Sequence, residues 1–242
     1  SVRLRIDQIA KFAAMAKPDV ICLQETKAHP EQIPEEVTTL PYHQYFSRPE
    51  KKGYSGVGLL TRQEPLQVTY DFHPGFDDEG RLVQAEYPGF TLLNVYFPNG
   101  KASAERLQYK MDFYAAFQEH CAGLRAEGRR LVICGDVNTA HKELDLARPK
   151  ENEAVSGFLP EERAWMDSFL ADGYLDTFRL FHADGGHYSW WSVRTRARER
   201  NVGWRIDYFM VSADLRPHVV DAGIMPEVTG SDHCPVYVEM EI

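Results

Sequence analysis

No apolar stretch in this 242-residue sequence approaches the roughly 18 residues a membrane-spanning helix requires, so no such helix is expected. Cysteine is scarce: Cys22, Cys121, Cys134 and Cys234 contain no C-x-x-C pair. That spacing argues against a zinc site or a disulfide framework. Three of the four lie in or beside apolar runs, as free thiols in a reducing compartment do. Internal repeats, low-complexity blocks and linker-like stretches are absent, so one domain over residues 1–242 is expected, and 43% hydrophobic content suits a sizeable core. A signal-peptide pattern is lacking too, which points to a cytoplasmic, non-secreted protein, although the sequence opens on Ser1 and not on methionine. Positive charge is also in deficit, with a net charge of −9. This does not exclude a polyanionic partner, because binding responds to the local field. Residues 190–206 carry Arg194, Arg196, Arg198, Arg200 and Arg205 against the single acid Glu199. The sequence therefore predicts a bipolar surface, basic around an acidic pit.

What is present is a set of apolar runs that end in, or enclose, polar groups. Leu131-Val132-Ile133-Cys134 reads as a buried strand, followed by Gly135, Asp136, Val137 and Asn138. If the extended backbone continues, Asp136 and Asn138 point to one side, a carboxylate beside a carboxamide, suited to activating or orienting water. The run Val20 to Leu23 delivers Glu25, and the run Leu92 to Phe97 carries Tyr96 into a Pro98-Asn99-Gly100 turn. Asp207 lies inside Gly203 to Val211, while Asp232 and His233 lead into Cys234 to Val238. Charges in or beside hydrophobic strands cost free energy unless paired or used, and convergence at one end of a sheet accounts for all of them together. Plainer alternatives exist for each: Asp136 and Asn138 as turn formers, Tyr96 as a core tyrosine, His233 as a satisfied core histidine, Asp207 as the partner of Arg205.

Helical periodicity appears over Val2 to Met15, ending before Pro18, and over Ser103 to Ala126, with Leu107, Met111, Tyr114, Phe117, Cys121 and Leu124 on one stripe. Pro160 starts a third helix, with Gly173 past its end. Strands are expected near 20–24, 56–61, 66–70, 82–87, 91–97, 131–135, 187–191, 204–211 and 234–240. Several follow one another without a helix between, which favours antiparallel pairing in two packed sheets flanked by helices.

The segments LQETK (Leu23 to Lys27), GYSGVGLLT (Gly53 to Thr61), GDVN (Gly135 to Asn138), NVGWRIDYF (Asn201 to Phe209) and GSDHCPV (Gly230 to Val236) occur in order along the chain. Together they resemble the exonuclease III family of AP endonucleases, within the endonuclease/exonuclease/phosphatase superfamily. The likeness is greatest to the bacterial branch nearest the animal enzymes. It implies a four-layered α/β sandwich of the DNase I-like type. It also implies Mg²⁺-dependent hydrolysis (with Mn²⁺ as a substitute) of the phosphodiester 5′ to an abasic site in duplex DNA, leaving a 3′-hydroxyl, with 3′–5′ exonuclease or 3′-end trimming as an added activity. The expected partner is duplex DNA with abasic sites, acted on by a monomer with no membrane and no nucleotide cofactor.

The resemblance assigns Glu25, Asp136, Asn138, Asp232 and His233 to the metal site. Tyr96, Asp136, Asn138, Asp207 and His233 become the catalytic set, with the general base open between Asp136 and His233. Trp190, Trp204 and Ile206 are expected to line a pocket for an extruded sugar that lacks its base. Tyr54, Arg81, Asn99 and Asn152 are expected to contact the DNA or its phosphate. Another superfamily phosphodiesterase, or a DNA-binding module without turnover, is the alternative. Two departures stand out. Val155-Ser156-Gly157-Phe158 replaces an Asn-Ala-Gly before the phenylalanine, which removes an amide contact. The strand that ends in Asn-x-Asn, ahead of the match to Ser1-Val2-Arg3, is not in this sequence; were it missing from the protein, exposed sheet edges and impaired metal binding are expected.

Overall fold

Runs rich in Val, Ile and Leu become strands, and a computed structural model describing residues 1–242 groups them into two units, Ser1–Tyr96 and Phe97–Ile242. In the first unit, helix α1 (Ile6–Ala16) ends on Lys17, whose left-handed φ of 49° closes the last turn ahead of Pro18. Strands β1 (Val20–Gln24), β2 (His43–Phe46) and β3 (Val57–Thr61) pair antiparallel in the order β1-β3-β2, with the short helix α2 (Glu35–Thr38) between β1 and β2 in sequence. Ala13 of α1 and Ile21, Phe46 and Leu60 of this sheet share one apolar core. Strands β4 (Gln67–Thr69), β5 (Leu82–Tyr87) and β6 (Phe90–Tyr96) follow as antiparallel neighbours. Asn94 of β6 is fully buried; its carboxamide donates to the Gly58 and Leu23 carbonyls and accepts from Gln24 at 2.7 Å. A buried amide is tolerated only when its groups are satisfied in this way, and here it fastens β6 to the first sheet.

The second unit starts with helix α3 (Ala104–Ala126), whose N-cap Ser103 accepts the Arg106 N–H. Strand β7 (Leu131–Asp136) and helices α4 (Pro149–Asn152) and α5 (Pro160–Ala171) come next. Strands β8 (Tyr174–Asp176), β9 (Trp190–Trp191), β10 (Gly203–Trp204), β11 (Asp207–Ser212), β12 (Val219–Ile224) and β13 (Val236–Met240) complete it. β7, β11 and β8 are adjacent in that order, and β9/β10 and β12/β13 form two ribbons, all antiparallel. Aromatic side chains join the helices: Tyr114 of α3 stacks on Trp165 of α5 at 3.9 Å between centroids, and Phe117 meets Phe169. Full burial of a side chain such as Phe117 is worth about 1.5–3 kcal/mol, enough to hold the helices on this core.

Several expectations change. The first helix begins at Ile6, after a 3₁₀ turn at Val2–Leu4. The buried face of α3 is Lys110, Phe113, Tyr114, Phe117, Cys121 and Leu124, so Lys110 and Phe113 replace Leu107 and Met111. The strand expected at 187–191 is confined to β9, and the one at 204–211 breaks at Arg205 and Ile206. β2, β8 and β12 were not expected; β8 is three residues long, too short for alternation to register. The four cysteines are free, and Cys22 alone is only half-buried. No helix is long and apolar enough to cross a membrane.

Candidate active site

β7 and β11 are paired so that Asp136 and Asp207 face each other directly across the ladder. Like charges in that position repel, and this pair is also buried. His233 is carried against them by backbone bonds: Trp191 N–H donates to the Asp232 carbonyl, and Cys234 N–H to the Ser189 carbonyl. Its Nδ1 then bonds Asp207 Oδ2 at 2.9 Å. One ligand atom each from Asp136, Asp207 and His233 lie within 4.8 Å of one another. Burial, then the Asp207 charge, hold the Asp136 carboxyl above the usual carboxylate range. For His233, burial alone would lower the pKa, but the Asp207 carboxylate outweighs it and pushes the imidazole up to about 10. Two carboxylates against one imidazolium leave the cluster short of positive charge. Relief of that deficit by a hard divalent cation fits the oxygen donors present.

Asn138 meets Asp136, but not by strand alternation. The strand ends at Asp136, and Asn138 has a left-handed φ of 55°. Its backbone N–H donates to Asp136 Oδ1 at 2.8 Å, and its Nδ2 to Asp136 Oδ2 at 3.2 Å and to the Phe97 carbonyl. Its Oδ1 accepts from Asn99 Nδ2 at 2.9 Å. Asn138 thus orients Asp136, and Asn99 orients Asn138.

The strand break at Arg205 and Ile206 is the local irregularity that lets neighbouring residues serve different places. The Ile206 carbonyl accepts from Val137 N–H, and Ser189 Oγ accepts from both the Ile206 and Asp207 N–H groups while donating to Asp207 Oδ2 at 2.6 Å. Arg205 turns away and is buried: Nε donates to Asp145 at 2.7 Å, and its two terminal nitrogens grip Asp176 at 3.1 and 2.6 Å. The alternative in which Asp207 pairs with Arg205 is therefore overturned. Trp204 and Ile206, on either side of the break, join Ala140, Leu146, Phe158 and Trp190 in one apolar cluster. Trp190 and Trp204 meet edge to face, 6.5 Å apart, and both stay partly exposed. Gly157 at φ +101° lies under this wall; a Cβ there would come 3.2 Å from the Asn138 carbonyl and 3.3 Å from the Trp204 ring.

Asp232 is outside the three-residue cluster and accepts from Trp190 Nε1 at 3.1 Å, so it orients the Trp190 indole. Asn152, half-buried, donates to the Arg148 carbonyl. The Ser156 hydroxyl donates to Glu162 at 2.8 Å and so is committed inward. In the first unit, Glu25 follows β1 at a left-handed φ of 55°, half-exposed and paired with Lys27 at 2.7 Å. Tyr54 has the Lys51 ammonium over its ring. Arg81, expected on the DNA-contacting surface, is 3% exposed: it pairs with Glu79, donates to the Tyr96 carbonyl and stacks 4.8 Å from the Tyr96 ring. It supports Tyr96 from within the first unit.

The expected basic stretch is likewise reduced. Arg205 is buried, and Arg198 spends its guanidinium on the Ser231, Pro226 and Val228 carbonyls, bracing the loop that leads to Asp232. Arg194, Arg196 and Arg200 are the exposed ones. Sequence reasoning missed Ser189 and Lys110. The Lys110 ammonium is fully buried and donates to the Asn138 carbonyl, Thr139 Oγ1 and Glu162, fastening the loop beyond β7. A lysine on the apolar stripe of α3 was the available signal.

Residues 1–233 match the model of the endonuclease/exonuclease/phosphatase family. The chain is 43% identical to an exodeoxyribonuclease of Bacillus subtilis, over 93% of this chain and 88% of that protein. It is 42% identical to the DNA repair nuclease APEX1 of Danio rerio, over 90% of this chain and 72% of the relative. Among solved structures, an AP endonuclease from Archaeoglobus fulgidus superposes with a TM-score of 0.89 at 28% identity, covering 100% of this chain and 96% of the other. This chain belongs to the endonuclease/exonuclease/phosphatase family, on its exonuclease III-type AP endonuclease branch.

Proposed function

We propose that this chain hydrolyses the phosphodiester on the 5′ side of an abasic site in duplex DNA, leaving a 3′-hydroxyl, with Mg²⁺ as cofactor. One observation carries the reading: residues that form or brace the charged cluster are sequence neighbours of residues of the apolar wall, Ser189 of Trp190 and Asp207 of Ile206. Phosphate chemistry and a seat for a small extruded sugar are thereby set side by side. Similarity to a DNA repair nuclease and an AP endonuclease supports the choice of substrate.

Asp136 and Asp207 would hold the cation, with Glu25 kept as a ligand on the strength of the family resemblance; when bound, Mg²⁺ neutralises charge on the phosphate oxygens. Asp136 accepts a proton from the attacking water, its carboxylate fixed by two donors from Asn138. His233 gives its Nδ1–H to Asp207, which favours the imidazolium and suits the second ring nitrogen to donate to a phosphate oxygen. Between the two candidate bases this geometry favours Asp136. Ser189 and Asn99 act through their neighbours, as positioning residues.

Cleavage of abasic and intact duplexes at equal enzyme, with and without chelator, tests the reading. Faster cutting of the abasic duplex, abolished by chelation, is expected. Equal rates on the two duplexes would leave a general nuclease instead. Similarity to an exodeoxyribonuclease favours a secondary removal of 3′-terminal nucleotides by the same cluster, measurable on a recessed 3′ end.

A further inference from the structure

Lys101 lies just past the Pro98-Asn99-Gly100 turn, and its ammonium is seated over both indoles of the pocket wall, 5.3 Å from the Trp190 centroid and 5.2 Å from Trp204. The turn that carries it is pinned. Its backbone N–H donates to Asn99 Oδ1 at 2.9 Å, and Asn99 in turn donates to Asn138. Gly100 has no room for a side chain, since a Cβ would meet Ser156 Oγ at 2.6 Å and Leu107 at 3.0 Å. The backbone is held while the side chain remains exposed, so the ammonium can leave the rings without disturbing the fold. Glu162 and Asp136 attract it toward the site.

A cation over two aromatic faces occupies the surface on which a nucleobase would stack. A nucleotide that retains its base must displace the ammonium to enter; a bare sugar is smaller and leaves the indole faces covered. Beside a bare sugar the ammonium keeps its place over the indoles, where it is matched to a backbone phosphate as a point charge. We propose that Lys101 is a specificity-determining residue, one that penalises a base stacked on Trp190 and Trp204 and pairs with a DNA phosphate near the extruded sugar. This rests on the abasic-site reading above.

The test is kcat/KM on abasic and intact duplexes over a range of salt, for the wild type, Lys101→Met and Lys101→Arg. Loss of a surface cation–π contact is worth about a two- to fivefold change in the abasic-to-intact ratio. Lys101→Met is expected to lower the ratio by that amount and to flatten the salt dependence by about one phosphate contact. Lys101→Arg is expected to retain both. A wild type that prefers abasic DNA, with the ratio unchanged in Lys101→Met, overturns the proposal and leaves the abasic reading standing, whether or not the salt slope moves. A wild-type ratio near one strikes at the abasic reading itself, and the proposal falls with it.

Discussion

Two buried charge clusters lie within two residues of each other along the chain, and they behave in opposite ways. Around Arg205 the charges balance: Arg205 and Arg179 face Asp145 and Asp176, with Asp145 gripped by both arginines. Around Asp207 they do not, since Asp136 and Asp207 share only His233. A balanced, fully bonded cluster has little left to offer a ligand and serves to hold backbone in place. An unbalanced one retains attraction for a cation and a proton, which is the condition for chemistry. The difference comes from the number of cations: each cluster holds two aspartates, against two arginines in the first and one histidine in the second.

That contrast can be broken from either side. Asp136→Asn removes the proposed proton acceptor and is expected to lower the single-turnover cleavage rate by about 10³-fold or more. Binding of abasic duplex, read by fluorescence anisotropy, should change little; a variant that keeps most of its rate would return Asp136 to a structural role. Arg205→Met leaves Asp145 and Asp176 short of a partner, with an expected loss of about 3–5 kcal/mol in denaturant-induced unfolding. An unchanged midpoint would mean the balanced cluster is dispensable. Trp204→Ala, in the apolar cluster, should reduce preference for abasic over intact duplex by about tenfold. Intact discrimination in that variant would move the pocket elsewhere.

The smallest effect is on acid stability. Burial alone would raise the Asp145 pKa, but Arg205 and Arg179 outweigh it and hold it below the usual range. A depressed folded-state pKa contributes stability that is complete above the unfolded value and is lost as pH falls through the folded one. The acid limb of unfolding below about pH 4 should therefore be shallower in Asp145→Asn than in the wild type.

The two clusters also differ in how well a reader of the sequence could find them. Asp136, Asp207 and His233 announce themselves as polar groups in or beside apolar runs, and the family resemblance orders them. The strand expected at 131–135 is legible because the apolar run Leu131 to Cys134 fills most of it, and the one at 82–87 because Leu82, Val83, Ala85 and Tyr87 outnumber its two polar residues. Nothing local marks Arg205 as buried: it sits in an arginine-rich stretch, and only Asp145 and Asp176, distant in sequence, take it inward. Arg81 misleads in part for the same reason, since besides neighbouring Glu79 it bonds the carbonyl of Tyr96, fifteen residues on. Ser189 is a small hydroxyl among aromatics, and its three bonds go to Ile206 and Asp207, at the break between β10 and β11.

That interruption at Arg205 and Ile206 works like a change of step in a march. A strand in regular alternation sends odd residues one way and even residues the other, so its length could vary at the ends without harm. Here a one-residue deletion between Trp204 and Asp207 would exchange the two sides, turning an acid toward oil and an indole toward the phosphate. The segment is therefore expected to tolerate substitutions of like size far better than any change in its number of residues.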